Sequence, residues 1–384
     1  ANRLECDFDM VCITIAKLKD GKIYLHGFCE TRKVMSVEDY MKNIAIIGGG
    51  WYGCHIALTL KQKGQYDVTL YEAKSDIFLG CSGQFGIRLH ADPHYPRSKK
   101  HVKVVKIIFT IFKIVFEPSI AVGICLRETF KKLLKQSDVN LIYNYKVEKI
   151  EKANPNKLQI NAEHIFDYVI NCTYYQDLII DSIFPFSIEV IYQPCLALYY
   201  EDNEKSINDD AFSFIIMDGW FPCIMPYEDD EEEEDVNRKY ILTHGKYTIM
   251  GSFKTYYEAL ACKNQLNDTF IEKIVKPLFK YLGWKRTIAT KLKTEKEFRN
   301  AVTWEKDSVI YVISGKINNI FDAEHEVFSL IKHENILKWG EYNYVKGGEL
   351  DRSINEVTEK RLRNLRNTSE LQVYDELYLQ FNNN

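Results

Sequence analysis

The hydrophobic positions of this chain change period several times, and each change predicts an element. Ile44, Ala45, Ile46 and Ile47 follow Asn43 as an unbroken apolar run, the pattern of a strand covered on both faces. A glycine turn over 48–53 comes next, then helical spacing over 54–63 closed by Gly64, then a second strand over 66–71 ending at Glu72. Together these predict a βαβ unit.

Upstream, 11–16 and 22–26 predict paired strands, with Asp20-Gly21 as the hairpin turn. Downstream, 126–136 predicts a helix and 140–150 a strand. Stretches 157–160, 165–166 and 168–172 predict strands returning to the first sheet. From Ile188 to about Gly251, short runs rich in Tyr, Phe and Ile predict an antiparallel sheet in a second lobe. Residues 256–282 read as helical and 308–313 as a strand, with Gly315 and a helix through about His333 following. Past Trp339 the chain turns polar, which predicts a loosely attached tail.

Composition narrows the class. With 384 residues, 46% of them hydrophobic and 27% charged, the chain is an ordinary globular protein of two domains or one elaborated α/β unit. Fifty basic against 54 acidic residues, a net charge of −4, exclude a whole-protein nucleic-acid binder. Aromatics at 13% suit either a large core or a flat-ligand pocket. Ten cysteines without a C-x-x-C pair exclude a zinc ribbon, and no metal site is expected. Cys172 lies inside an apolar strand, as a free buried thiol does. With no basic-then-apolar leader, this predicts a reducing, cytoplasmic setting.

Two apolar stretches are tested as membrane spans and rejected. Residues 43–60 lack charge but contain Gly48, Gly49, Gly50, Gly53 and His55; 101–126 carries Lys103, Lys106, Lys113 and Glu117. Val105, Ile108, Phe109, Phe112 and Phe116 instead predict a basic amphipathic helix turned to the core. The acidic run 228–235 reads as a solvated loop.

The chemistry begins at Gly48-Gly49-Gly50-Trp51-Tyr52-Gly53, which satisfies G-x-G-x-x-G between a strand and a helix. The glycines allow the tight turn, the approach of a pyrophosphate and close helix–strand packing. The helix N-terminus then favours the phosphates. Glu72, nineteen residues after Gly53 at the end of the second strand, stands where a ribose-binding carboxylate belongs and would repel a 2′-phosphate.

Four further blocks accompany this motif in order. They are Gly80-Cys81-Ser82-Gly83-Gln84-Phe85-Gly86, His90-Ala91-Asp92-Pro93-His94-Tyr95, Asp167-Tyr168-Val169-Ile170-Asn171-Cys172-Thr173, and Val312-Ile313-Ser314-Gly315-Lys316-Ile317-Asn318-Asn319. With them, residues 42–333 resemble the D-amino-acid oxidase / glycine oxidase / sarcosine oxidase superfamily of FAD-dependent oxidoreductases. Tyr174 stands where that family has glycine, and Asn319-Ile320-Phe321 replaces a second glycine.

The resemblance implies an α/β fold: a Rossmann-like FAD-binding lobe with an interleaved α+β substrate lobe built on an antiparallel sheet. The FAD lobe would comprise 41–180 and 290–338 and the substrate lobe 181–289, flanked by an extension at 1–40 and a tail at 339–384. It implies FAD held by Gly48, Gly50, Tyr52, Gly53, Glu72, Ser82, Gly83, Gln84, Val147, Thr173, Gly315 and Asn318. The expected reaction is oxidation of a small amine, amino acid or 2-hydroxy acid by hydride transfer to flavin N5. His90 or His94 would take a hydroxyl proton. Arg299, or else Arg88, would pair with a substrate carboxylate. Gly315, followed by a helix, would aim N–H groups at the flavin N1–C2 side, with Lys316 adding charge. Tyr192, Tyr227 and Tyr247 would line the pocket or the core, and 220–222 with 225–226 would enter the ring side. A small-molecule substrate is the partner expected. Two alternatives stay open: a catalytically degenerate flavoprotein with a structural or binding role, and an NAD-dependent dehydrogenase.

Overall fold

The apolar run after Asn43 forms a central strand of the largest sheet. A computed structural model describes residues 16–19, 22–25, 42–64, 66–83, 87–88, 119–120, 124–181, 184–202, 214–215, 222–227, 238–267, 280–294 and 300–367. The chain divides into two units, Ala1–Tyr40 and Met41–Asn384. In the first, β1 (Ala16–Lys19) pairs antiparallel with β2 (Lys22–Leu25), Lys19 opposite Lys22. The paired strands flank Asp20-Gly21, as expected of the hairpin; 11–15 of the predicted first strand lie outside the described residues, as do residues 20–21.

The second unit opens with β3 (Asn43–Ile47), α1 (Trp51–Gly64) and β4 (Asp67–Tyr71). Two short strands, β5 (Ile87–Arg88) and β6 (Ser119–Ile120), pair with each other before α2 (Ile124–Gln136) and β7 (Asn140–Ile142). Then come β8 (Ile150–Asn154), β9 (Lys157–Ile160), β10 (His164–Phe166) and β11 (Tyr168–Asn171). Only β11 returns to the large sheet; β8, β9 and β10 make their own antiparallel sheet. The strand expected over 140–150 stops at Ile142, shortly before Asn144 takes a left-handed φ of 53°.

A second, five-stranded sheet is built from β12 (Glu189–Asp202), β13 (Phe214–Ile215), β14 (Cys223–Tyr227), β15 (Arg238–Thr243) and β16 (Lys280–Lys293), with α3 (Tyr256–Gln265) between the last two. The chain closes with β17 (Val302–Lys306), β18 (Val309–Ile313), α4 (Ile320–Lys332), β19 (Ile336–Trp339), β20 (Tyr342–Val345) and α5 (Glu349–Asn367).

Among the described residues the large sheet runs β19-β20-β17-β18-β11-β3-β4-β7. Its middle is parallel, with Ile44 opposite Val68 and Tyr168. Alternate residues feed two cores: Ile44, Ile46, Val68 and Leu70 pack under α1 and α4, while Ala45, Ile47, Val169 and Tyr311 face the other side. Burial on both faces is why β3 reads as continuous apolar sequence. On that second side Tyr175, Phe184, Phe186, Trp304 and Tyr311 cluster, Trp304 stacking on Tyr311 at 5.2 Å. These aromatics therefore serve the core.

Two expectations fail here. The helix predicted over 256–282 ends at Gln265, and Leu282 lies in a strand. Fourteen-residue β16 pairs with β12 from Glu189↔Lys293 to Glu201↔Lys280, and Tyr281 and Trp284 pack against Leu196, Leu198 and Tyr200. Cross-strand packing, not local propensity, decides the state there. The tail expected beyond 339 is likewise overturned through 367, because β20 pairs with both β17 and β19, and α5 buries Leu350 and Ile354.

α4 carries a buried carboxylate that makes stability depend on pH. Glu326 is 3% exposed, and its oxygens accept from Thr303 Oγ1 and from the Glu349 N–H. Burial raises its pKa from 4.5 to about 7. A carboxyl with a raised native pKa contributes stability that is present below the unfolded value and lost as pH climbs through the native one. Glu326→Gln should therefore gain on wild type between pH 4.5 and 7, by roughly 3 kcal/mol at most. Denaturant melts across that range test this; a pH-independent difference contradicts it.

Candidate functional site

The site forms where the parallel strands end. α1 starts at Trp51, one residue past Gly50 and earlier than predicted, so Gly53 lies inside its first turn. Gly48 has φ +106°, and a side chain there would meet the Cys172 carbonyl at 2.9 Å. At Gly53 an added Cβ would fall 2.0 Å from the Gly48 carbonyl oxygen. Both glycines are demanded by the protein itself. Gly50 differs, because a Cβ there would meet only Ser82 side-chain atoms, at 3.0 Å and 4.0 Å. Its lack of a side chain keeps space open before the helix N-terminus, as an approaching pyrophosphate requires.

Glu72 follows β4 and reaches back into the turn. Its Oε2 accepts from the Gly49 N–H at 2.7 Å and its Oε1 from the Lys74 N–H at 2.9 Å. Each oxygen keeps a further lone pair for a ribose hydroxyl. Ser82, on the short 3-10 turn Cys81–Gly83, accepts the Trp51 N–H at 3.0 Å and so caps α1. Gly83 abuts Phe78, whose carbonyl would stand 1.8 Å from an added Cβ. Cys81 hydrogen-bonds Thr287 of β16, and burial pushes its thiol pKa up. The second small-residue loop thus touches the five-stranded sheet.

At the end of β11, Asn171 organises the next loop. Its Oδ1 accepts from Thr173 N at 3.0 Å and Thr173 Oγ1 at 2.6 Å, while Nδ2 donates to the Asp177 and Leu178 carbonyls. The Thr173 hydroxyl is therefore engaged within the loop. Tyr174 and Tyr175 hold left-handed φ values of 63° and 54°. Tyr174 keeps the backbone shape that glycine would give, at a cost of roughly 1 kcal/mol or more that this network offsets. Val147 is buried beside Tyr71 in the second core.

A cavity of about 200 Å³ opens beside these loops. Tyr174, Ile313, Ser314, Gly315 and Lys316 line one side, and Thr290, Lys291, Leu292 and Asn300 the other. Asn300 Nδ2 donates to Glu349 Oε2 at 2.7 Å, an anchor that fixes the amide and leaves Oδ1 as its acceptor. Glu349 is the first residue of α5, so the segment predicted as a tail supports the cavity wall.

The turn after β18 departs from expectation. The Gly315 N–H donates to Tyr52 Oη at 3.2 Å instead of facing a ligand, and α4 starts only at Ile320, after the 3-10 turn Ile317–Asn319. The helical N-terminus that adjoins Gly315 is that of the 3-10 turn, with Lys316 at its N-cap position.

Of the predicted site residues, the structure gathers Gly48, Gly50, Tyr52, Gly53, Glu72, Ser82 and Gly83 around the α1 end, and Gly315 and Lys316 at the cavity. Asn318 is described only as backbone of the 3-10 turn, and Arg88 only as backbone of β5. Gln84, His90, His94 and Arg299 lie outside the described residues, as do the helix predicted near 103–116, the acidic run 228–235 and residues 220–221. Tyr192 proves to be core, 3% exposed and donating to the Tyr175 carbonyl, and Tyr247 is a 47% exposed turn residue; neither lines the cavity. Tyr227 lies on β14, its side chain undescribed. Asn300, Thr290 and Lys291 were missed; only proximity to Arg299 hinted at Asn300. Among the described residues no cluster could hold a metal, and no helix is long and apolar enough to cross a membrane.

The glycine cradle, the open face at Gly50 and the carboxylate beside the turn fit a dinucleotide. Residues 46–89 match the NAD(P)-binding Rossmann-like domain family. The chain is 34% identical to the FAD-dependent monooxygenase kojA of Aspergillus flavus, covering 86% of this chain and 96% of that protein. It is 26% identical to the FAD-dependent monooxygenase FPY4 of Fusarium mangiferae, over 76% and 92%. L-proline dehydrogenase from P. horikoshii superposes with a TM-score of 0.47 at 15% identity, covering 77% of this chain and 94% of that one.

Proposed function

This chain belongs to the family of FAD-dependent oxidoreductases that includes the Aspergillus monooxygenase, and from that premise we propose that it oxidises a small amino acid or 2-hydroxy acid in the cavity beside Gly315. The observation that carries the reading is the lining itself. It offers Lys291, Lys316, Asn300 and Thr290, and no Asp or Glu among the lining residues. Such a wall favours a substrate with a carboxylate over a simple amine, which would call for an acid. Bound FAD would supply the hydride acceptor for such an oxidation.

The chain's own residues would bind and orient. Gly48, Gly50, Gly53 and Glu72 would hold the dinucleotide, with Ser82 and Gly83 keeping the second loop in place. The Asn300 carbonyl oxygen would accept from the substrate hydroxyl or amine. His90 or His94 would take the proton of a hydroxyl, and Arg299, next to Asn300 in sequence, would pair with the carboxylate. Six described cysteines are free thiols, which supports a cytoplasmic setting as part of this reading.

A second reading rests on the relatives' names: insertion of one oxygen atom from O₂, the other leaving as water at the expense of a nicotinamide reductant. Anaerobic mixing with 2-hydroxy acids and amino acids separates the two. Bleaching of the bound flavin by one of them supports the first. No bleaching, with ¹⁸O from ¹⁸O₂ appearing in a product, establishes the second. For any acid that bleaches the flavin, Arg299→Ala should raise KM roughly 100-fold, the worth of a lost bidentate pair. An unchanged KM assigns Arg299 a structural role.

A further inference from the structure

We propose that Tyr52 is a positioning residue whose hydroxyl braces the Gly315–Lys316 turn against the glycine turn of α1 and withholds the Gly315 N–H from the cavity. The inference rests on the FAD reading for its consequence, but its geometry stands in the protein alone. Tyr52 is 5% exposed and is the second residue of α1. Its Oη donates to the Lys316 carbonyl at 2.6 Å and accepts the Gly315 N–H at 3.2 Å, so a single phenol closes both groups of one turn. Burial pushes its pKa far above neutrality, which keeps the donor proton in place. The Lys316 carbonyl also takes the Asn319 N–H at 3.0 Å, so the brace is continuous with the 3-10 turn that leads into α4.

Gly315 and Lys316 line the cavity, whereas Tyr52 sits two residues past Gly50. Tyr52 thus links the segment that would hold the pyrophosphate of a bound dinucleotide to the turn that lines the cavity. G-x-G-x-x-G leaves this position open to any residue, so the brace is a feature of this chain rather than of the motif. It also sets charge: with its N–H already paired, the turn offers less stabilisation to negative charge on a ring beside it.

The test compares Tyr52→Phe with Tyr168→Phe in the full chain. Tyr168 Oη also makes a partly buried bond, 3.2 Å to His333 Nε2, but from the far end of β11. In the apoprotein, Tyr52→Phe should speed amide exchange at Gly315 at least tenfold, while Tyr168→Phe leaves it unchanged. On titration with FAD, Tyr52→Phe should bind roughly 5- to 50-fold more weakly, the worth of two neutral hydrogen bonds. Its bound flavin should have a higher midpoint potential than wild type, which a loss of general stability does not produce. Unchanged Gly315 exchange in Tyr52→Phe overturns the brace whether or not FAD binds. Faster exchange with unaltered FAD affinity and potential overturns its positioning role. Wild-type protein that takes up no FAD defeats the cofactor reading instead, and the exchange measurement still decides the brace.

Discussion

Gly50→Val should abolish FAD retention in a protein that still folds, whereas Gly53→Ala should damage the fold itself. The two glycines belong to one motif but face different neighbours. At Gly50 the added atoms meet Ser82 Oγ, the end of a small side chain. The protein loses at most the Ser82 cap on Trp51 N, about 1 kcal/mol. The branches of valine then occupy the space before the α1 N-terminus, where phosphates would receive its N–H groups. FAD affinity should fall at least roughly 100-fold, about 2.8 kcal/mol. At Gly53 the obstacle is backbone, the Gly48 carbonyl at 2.0 Å, and no rotamer relieves it. Rebuilding the turn should cost about 3 kcal/mol or more. Flavin content and melting temperature of both variants check the pair. Full flavin occupancy in Gly50→Val would end the assignment of this turn to the cofactor.

Truncation after Trp339 should leave no folded protein. The cut removes Tyr344, Val345, Leu350 and Ile354, each between 1% and 6% exposed. At roughly 1.5–3 kcal/mol for each buried side chain, the loss is about 6–12 kcal/mol, comparable with the roughly 5–15 kcal/mol that holds a typical domain. It also takes β20 from the edge of β17, the Glu349 N–H from buried Glu326, and the Glu349 carboxylate from Asn300. Circular dichroism of the shortened chain is the check, and a cooperative melt near the wild-type temperature would contradict the assignment of α5 to the core.

What could be read beforehand follows from how local each signal is. The unit β3–α1–β4 was legible because glycine turn, apolar strand and following acid are neighbours in sequence, and burial on both faces leaves β3 no polar residue after Asn43. Strand β16 was hidden because Lys280–Lys293 alternates charged residues with Leu282, Ile288 and Leu292, and only β12, ninety residues away, makes it a strand. α5 was hidden by the polarity of its exposed face, which outweighs the short stripe Leu350, Ile354 and Val357. At the site, the placement of Glu72 beside the glycine turn was legible from spacing alone. The bond between Tyr52 and the Gly315 turn joins residues 263 positions apart, and no spacing rule reaches that far. It also reverses the expected use of the Gly315 N–H. Asn300 entered the cavity wall through Glu349, a residue on a segment read as a tail.

The most direct test of the account is the visible spectrum of the purified chain, followed by chromatography of what denaturation releases. The account predicts oxidised-flavin absorbance from wild type, released as FAD at about one per chain, and its loss from Gly50→Val. A colourless wild-type protein that takes up no FAD on titration would contradict it.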